Sequence, residues 1–259
     1  MAFEIIRIPV WADNYAYLLL GDDGCAAVVD SPEAPPVLAE LARRGRSLTH
    51  IFNTHHHFDH VGSNAALLEA FDDVAVFGGA YDREHARIPG QTRVLRDGDT
   101  FSWAGETCTV REVPGHTLGH ILYVWSHGAA FVGDTLFVGG CGRLFEGTAE
   151  QLDRALNDVI ASLPPSTTLY CAHEYTQANL RFALHVDPGN EALIAYAEEV
   201  DRKRSAGVAT VPSQLADELR INPFLRCHTP AIRASVGLAS APRHEVLGAL
   251  RSLKDGFRG

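Results

Sequence analysis

Thr54-His55-His56-His57-Phe58-Asp59-His60 constrains this chain more than any other stretch, because five of its seven side chains can bind a metal ion. Histidine and carboxylate are the ligands that a borderline divalent ion such as zinc prefers. A solvated polyhistidine patch would sit in a polar or terminal tract. This run lies instead between an apolar segment read as a buried strand, 48–53, and a segment read as a helix, 63–71. It therefore occupies a strand-to-helix turn, the place where α/β folds collect their binding sites.

The same arrangement, an apolar run followed by a ligand, recurs three times. Val110 to Val113 leads into Pro114-Gly115-His116-Thr117-Leu118-Gly119-His120, Ala129 to Gly133 ends at Asp134, and Thr168 to Ala172 ends at His173. Alone, His116 reads as a core or turn histidine and Asp134 as a cap. Together these strand ends deliver His55, His57, Asp59, His60, His116, Asp134 and His173. His56 is expected to point away from its two neighbours, and His120 to orient a ligand or simply pack. His50, His85, His127, His185, His228 and His244 read as surface residues, and none of the five cysteines is expected to bind metal.

Seven ligands exceed what one catalytic ion needs but suit two ions that share a carboxylate. His55, His57 and His116 would hold one, Asp59, His60 and His173 the other, with Asp134 between. Such a pair activates water at neutral pH and polarises the bond it attacks, so the implied chemistry is hydrolysis.

At 259 residues with 46% hydrophobic side chains, the chain is large enough for one domain or for a main domain with a smaller partner. The N-terminus lacks the apolar core of a leader, and no run approaches the ~18 residues of a membrane span. The expectation is a cytosolic, monomeric protein whose mature form is the whole chain, with reduced thiols. A net charge of -10 argues against nucleic acid as a partner. An anionic small substrate would then need a local basic cluster.

Three short strands (4–9, 15–20 and 26–30) open the chain as a meander, with a turn at Gly21-Asp22-Asp23-Gly24. Pro35-Pro36 starts a helix that stops at Gly45. Thr148 with Glu150-Gln151 starts another, stopped by Pro164-Pro165. After His173 the pattern turns helical, through 177–185, 190–205 and 243–253. We therefore expect a catalytic domain over 1–173 and a mostly helical one over 174–259.

The stretch 54–60 matches the T-H-x-H-x-D-H signature of the metallo-β-lactamase superfamily, and His116, Asp134 and His173 match its later ligands. Gly139-Gly140-Cys141-Gly142-Arg143-Leu144-Phe145-Glu146-Gly147-Thr148, Ala172-His173-Glu174-Tyr175-Thr176, Asn222-Pro223-Phe224 and Arg251-Ser252-Leu253-Lys254-Asp255 resemble glyoxalase II, the hydroxyacylglutathione hydrolases. That resemblance spans nearly the whole chain. It implies an α+β fold, the four-layer αβ/βα metallo-β-lactamase sandwich, with a C-terminal helical domain. It also implies two divalent metal ions, zinc first, with iron or manganese accepted by the same ligands. A metal-bridging water held by Asp134 and Asp59 would attack the thioester of S-D-lactoylglutathione, releasing D-lactate and glutathione. Arg143, Phe145, Tyr175, Arg251 and Lys254 become the substrate-binding residues, which supplies the basic cluster. Arg143 and Phe145 stand where many members have lysine and tyrosine, so a cation is kept and a phenol hydroxyl lost. The rivals are a persulfide dioxygenase, a lactonase or β-lactamase of the same fold, and a metal-binding scaffold without activity. The helical domain and the complete ligand set favour the thioesterase.

Overall fold

The computed structural model describes residues 3–22 and 24–259. The first two residues of the N-terminal segment and Asp23 of the expected turn lie outside the described residues. Contacts divide the chain into two compact units, Met1–Glu112 with Gly119–Gly133, and Val113–Leu118 with Asp134–Gly259.

The first unit begins with the expected meander: β1 (Phe3–Val10), β2 (Asn14–Gly21) and β3 (Cys25–Val29) pair antiparallel in chain order. The sheet then turns parallel through β4 (Ser47–Phe52), β5 (Ala75–Gly79) and β6 (Arg93–Leu95). Parallel neighbours need a crossover, and helices Pro35–Arg44 and Asn64–Ala70 provide the first two. The first has proline in its opening turn, Arg43 and Arg44 in its last, and Gly45 at φ 61° as its stop. Val37 and Leu41 of that helix pack on Leu18, Val28 and Ile51.

A second, antiparallel meander follows: β7 (Thr100–Trp103), β8 (Glu106–Glu112), β9 (Ile121–Trp125) and β10 (Ala129–Gly133). Its Trp103, Tyr123 and Trp125 join Phe3, Phe52 and Phe77 in a web of ring contacts with centroids 4.9–6.2 Å apart. Each fully buried ring contributes about 1.5–3 kcal/mol, which anchors β4 just before the histidine run. His50 belongs to this web and packs tilted against Phe52 and Phe77, and half-buried His127 meets Phe3 edge-on. Both differ from the surface positions their polarity suggests.

The second unit carries a small hairpin, β11 (Leu136–Phe137) with β12 (Gly140–Cys141), and the pair β13 (Thr168–Cys171) and β14 (Ser213–Gln214). Helix Ala149–Asp153 opens with the Thr148–Gln151 capping box, then widens into a π-helical stretch, Arg154–Val159, before a 3-10 turn. Helices Thr176–Val186, Glu191–Ser205, Leu215–Ile221, Pro230–Ser235 and Arg243–Gly256 complete the unit. Leu180, Leu193, Val200 and Ile221 form its helical core. Arg243 ties the last helix to Asp153 at 2.8 and 2.9 Å and to Asp158 at 2.7 Å. Among the described residues no helix is long and apolar enough to cross a membrane.

Candidate metal centre

In the first unit the histidine run leaves β4 through a network centred on Asp30, the residue that follows β3. The Asp30 carboxylate accepts from the Thr54 backbone N–H at 2.9 Å and the Thr54 hydroxyl at 2.6 Å, and it faces His60 Nδ1 at 2.9 Å. A carboxylate can only accept, so His60 Nδ1 carries the proton and Nε2 is left with a lone pair for a metal. Thr54 Oγ1 gives its own proton to Asp30 and accepts from His55 Nδ1 at 3.1 Å, which sets His55 Nε2 as a ligand in the same way. Asp30 was not among the residues singled out from sequence, although it too ends an apolar run.

The ligand atoms stand at ligand spacings. Two atoms each 2.0–2.1 Å from one tetrahedral ion lie about 3.3 Å apart. His55 Nε2 is 3.0 Å from His57 Nδ1, and His60 Nε2 is 3.7 Å from Asp59 Oδ2. Asn14 Nδ2 donates to that same Asp59 oxygen at 3.2 Å. His56 turns away, as expected, with Nε2 2.7 Å from Arg87 Nη2 and Nδ1 3.3 Å from Asp82 Oδ1. His120 is fully buried and stacks on His55 with centroids 4.6 Å apart. Gly133, at φ 47°, lets this packing close, since a Cβ there would lie 2.4 Å from Thr54 Oγ1 and 2.7 Å from His120 Nε2.

In the second unit His116 gives Nδ1–H to the Arg143 carbonyl at 2.9 Å, so its Nε2 is the ligand atom. Asp134 Oδ2 lies 3.6 Å from His116 Nε2 and 3.5 Å from His173 Nε2. One carboxylate oxygen therefore lies beside two histidines that the sequence reading assigns to different ions. Gly142 passes so close that a Cβ would sit 2.0 Å from the Asp134 carbonyl, which explains a glycine after Cys141. The donors sort into two clusters, His55, His57, His116 and Asp59, His60, Asp134, His173, and these clusters suggest a dimetal site. Nitrogen and oxygen donors in this number fit two divalent ions.

The expected substrate residues also belong to the second unit. Phe145 is 61% exposed with its ring edge-on to His116, and Tyr175 stacks on His173 at 4.6 Å. Arg143 is exposed, 3.6 Å from Asp255. Arg251 is buried and gives Nη1–H to the Cys141 carbonyl at 2.8 Å and Nη2–H to Asp255 at 3.1 Å, with its guanidinium over Phe224. Lys254 donates to the Ala178 carbonyl at 3.1 Å between Phe182 and Phe257. Burial first, then Arg251, Arg181 and Arg143, bring its ammonium down to about 8. Burial pushes the Cys141 thiol up to about 11, so it stays protonated.

Residues 10–173 match the family model of the metallo-beta-lactamase superfamily, and residues 174–257 match that of the hydroxyacylglutathione hydrolase C-terminus. A relative from Methylococcus capsulatus, named hydroxyacylglutathione hydrolase, is 50% identical over 258 residues, 99% of each chain. The crystal structure of ETHE1 from Myxococcus xanthus is similar at TM-score 0.66 and 25% identity, covering 97% of this chain and 90% of that one. The BLEG-1 B3 metallo-beta-lactamase is similar at TM-score 0.65 and 22% identity, covering 86% and 99%. Mixed sheets, a helical C-terminal region and these likenesses define the metallo-β-lactamase fold expected from the sequence, and the chain belongs to the hydroxyacylglutathione hydrolase family within that superfamily.

Proposed function

We propose that the chain hydrolyses S-D-lactoylglutathione and related 2-hydroxyacylglutathiones to the 2-hydroxy acid and glutathione. The observation that carries this reading is a complete set of metal donors in a chain whose residues 174–257 match the hydroxyacylglutathione hydrolase C-terminus. His55, His57 and His116 would hold one ion and Asp59, His60 and His173 the second, with Asp134 available to both; zinc is the first choice for each. When bound, the ions supply Lewis-acid activation of water and of the thioester carbonyl. Asp59, oriented by Asn14, and Asp134 accept hydrogen bonds from the attacking water and aim it. Residues 1–173 do this chemistry and residues 174–259 complete the glutathione site, in a monomer of the reducing cytosol.

Arg143 and Lys254 meet the carboxylates of glutathione, while Phe145 and Tyr175 flank the thioester through their rings. Arg251 acts from below, holding the Cys141 carbonyl and so the loop that presents Arg143. Steady-state hydrolysis of S-D-lactoylglutathione beside the lactoyl thioester of N-acetylcysteamine tests the assignment. A kcat/KM at least about a hundredfold higher for the glutathione thioester is expected, the worth of two charge-assisted contacts. Equal turnover of the two would move the substrate to another class.

A further inference from the structure

The hairpin of β11 and β12 carries the chain from Asp134 to Arg143. Its ladder pairs only Leu136 with Cys141 and Phe137 with Gly140. Four backbone groups of the turn are held by side chains of the helical region. Gly139 N donates to Glu218 Oε2 at 2.9 Å, and Asn179 Nδ2 donates to the Val138 carbonyl at 3.2 Å. Asn222 Nδ2 donates to the Phe137 and Gly140 carbonyls at 3.2 and 2.9 Å and to Glu218 Oε2 at 3.0 Å.

Glu218 is the unusual member. It is fully buried and makes no ion pair with a lysine or arginine among the described residues. Burial lifts its carboxyl to about 7, helped by Asp217 on its own helix and opposed by Gly139, Asn222 and Ser213. Cys171 on β13 and Tyr196 on helix Glu191–Ser205 also face it, and burial keeps both protonated. A side chain selected only to fill this space would be neutral, because a dry, unpaired carboxylate lowers stability. What the charge supplies is a stronger acceptor for the Gly139 N–H, roughly twice a neutral one.

We propose that Glu218 is a positioning residue for the substrate loop, its carboxylate fixing through the Gly139 N–H the turn that presents Arg143 and Phe145. The inference rests on the reading above that Arg143 and Phe145 meet glutathione. Glu218→Gln keeps the shape and removes the charge. In this variant KM for S-D-lactoylglutathione should rise roughly tenfold with kcat within about threefold, the signature of lost uniform binding. The wild-type KM should rise on acidification from pH 8 to 6, as the carboxyl takes up a proton, while the variant's stays flat. A folded-state carboxyl raised to about 7 lowers stability as pH climbs through that value, so Tm at pH 8 should increase in Glu218→Gln. A residue that merely packs would lose Tm and leave the KM profile alone. Wild-type KM and pH dependence in the variant would overturn the proposal. Should the variant not fold, hydrogen exchange of residues 137–142 in the intact wild type decides instead. Protection corrected for intrinsic rate, taken relative to the amides of helix Thr176–Val186 that report wider opening, should fall roughly tenfold from pH 8 to 6, in line with the weaker neutral acceptor, and pH-independent relative protection would overturn it. This last readout needs no substrate, so failure of the thioesterase reading shows separately, as absent turnover by the wild type.

Discussion

Asp134 Oδ2 stands 3.6 Å from His116 Nε2 and 3.5 Å from His173 Nε2, within reach of one histidine from each donor cluster. If Asp134 bridges two ions as proposed, removing it takes a donor from both at once. Asp134→Ala should therefore hold fewer than one metal equivalent by elemental analysis and lose turnover by roughly a thousandfold, the scale of losing the activated water. Two retained ions with full activity would end the bridging assignment. Lys254 offers a test by pH. Its ammonium, brought down to about 8 by burial and its arginine neighbours, discharges as pH rises through that value. KM for the glutathione thioester should climb between pH 7 and 9, and Lys254→Met should have a raised KM that no longer changes over that range. An unchanged wild-type profile across the same range would remove Lys254 from the glutathione contacts.

The elements that were legible in the sequence are those whose signals are local. Pro35-Pro36 and Gly45, and Thr148 with Gln151, mark helix ends by local chemistry, and the structure has helices there. The ligands were legible for a related reason, because each follows an apolar strand and is polar where the pattern predicts burial. The rest depended on partners distant in sequence. β9, which follows His120 without a turn signal of its own, is a strand because β8 and β10 pair with it. The role of Asp30 is visible only when Thr54 and His60 fold back onto it, and Glu218 looks like an exposed helix residue until the hairpin closes over it. Two substitutions separate these kinds of information. Asn190→Ala removes an acceptor from the Leu193 N–H and should cost about 1 kcal/mol, read as a lower denaturation midpoint with unchanged KM. Gly133→Ala should do far more, because its φ of 47° and the approach of Thr54 and His120 leave no room for a methyl group. Roughly 3 kcal/mol or more of stability and most of the metal should be lost, by strain and clash together.

At the scale of the whole molecule, the donors run from His55 to His173, and an unfolded chain has no reason to bring them together. Metal affinity is then also folding free energy, because an ion that binds only the folded chain stabilises it by RT ln(1 + [L]/Kd). At a thousandfold excess over Kd that is about 4 kcal/mol per ion. For a chain of this size each kcal/mol moves Tm by about 2–4 °C, so stripping one such ion should lower it by about 8–16 °C. The net charge of -10 adds to this, since divalent cations relieve repulsion among the acidic groups. We therefore expect chelator-treated protein to melt lower and to lack thioesterase activity, and zinc titration to restore Tm and turnover together up to two equivalents. Because the metal-free chain still has its helical core and aromatic web, it should remain folded at 25 °C and recover without refolding. Recovery of Tm at one equivalent with turnover appearing only at the second would show that one cluster is structural and that catalysis waits on the other. A melting temperature indifferent to chelation would mean that the donors are held in place by the fold alone, and would leave the catalytic metals contributing chemistry but no stability.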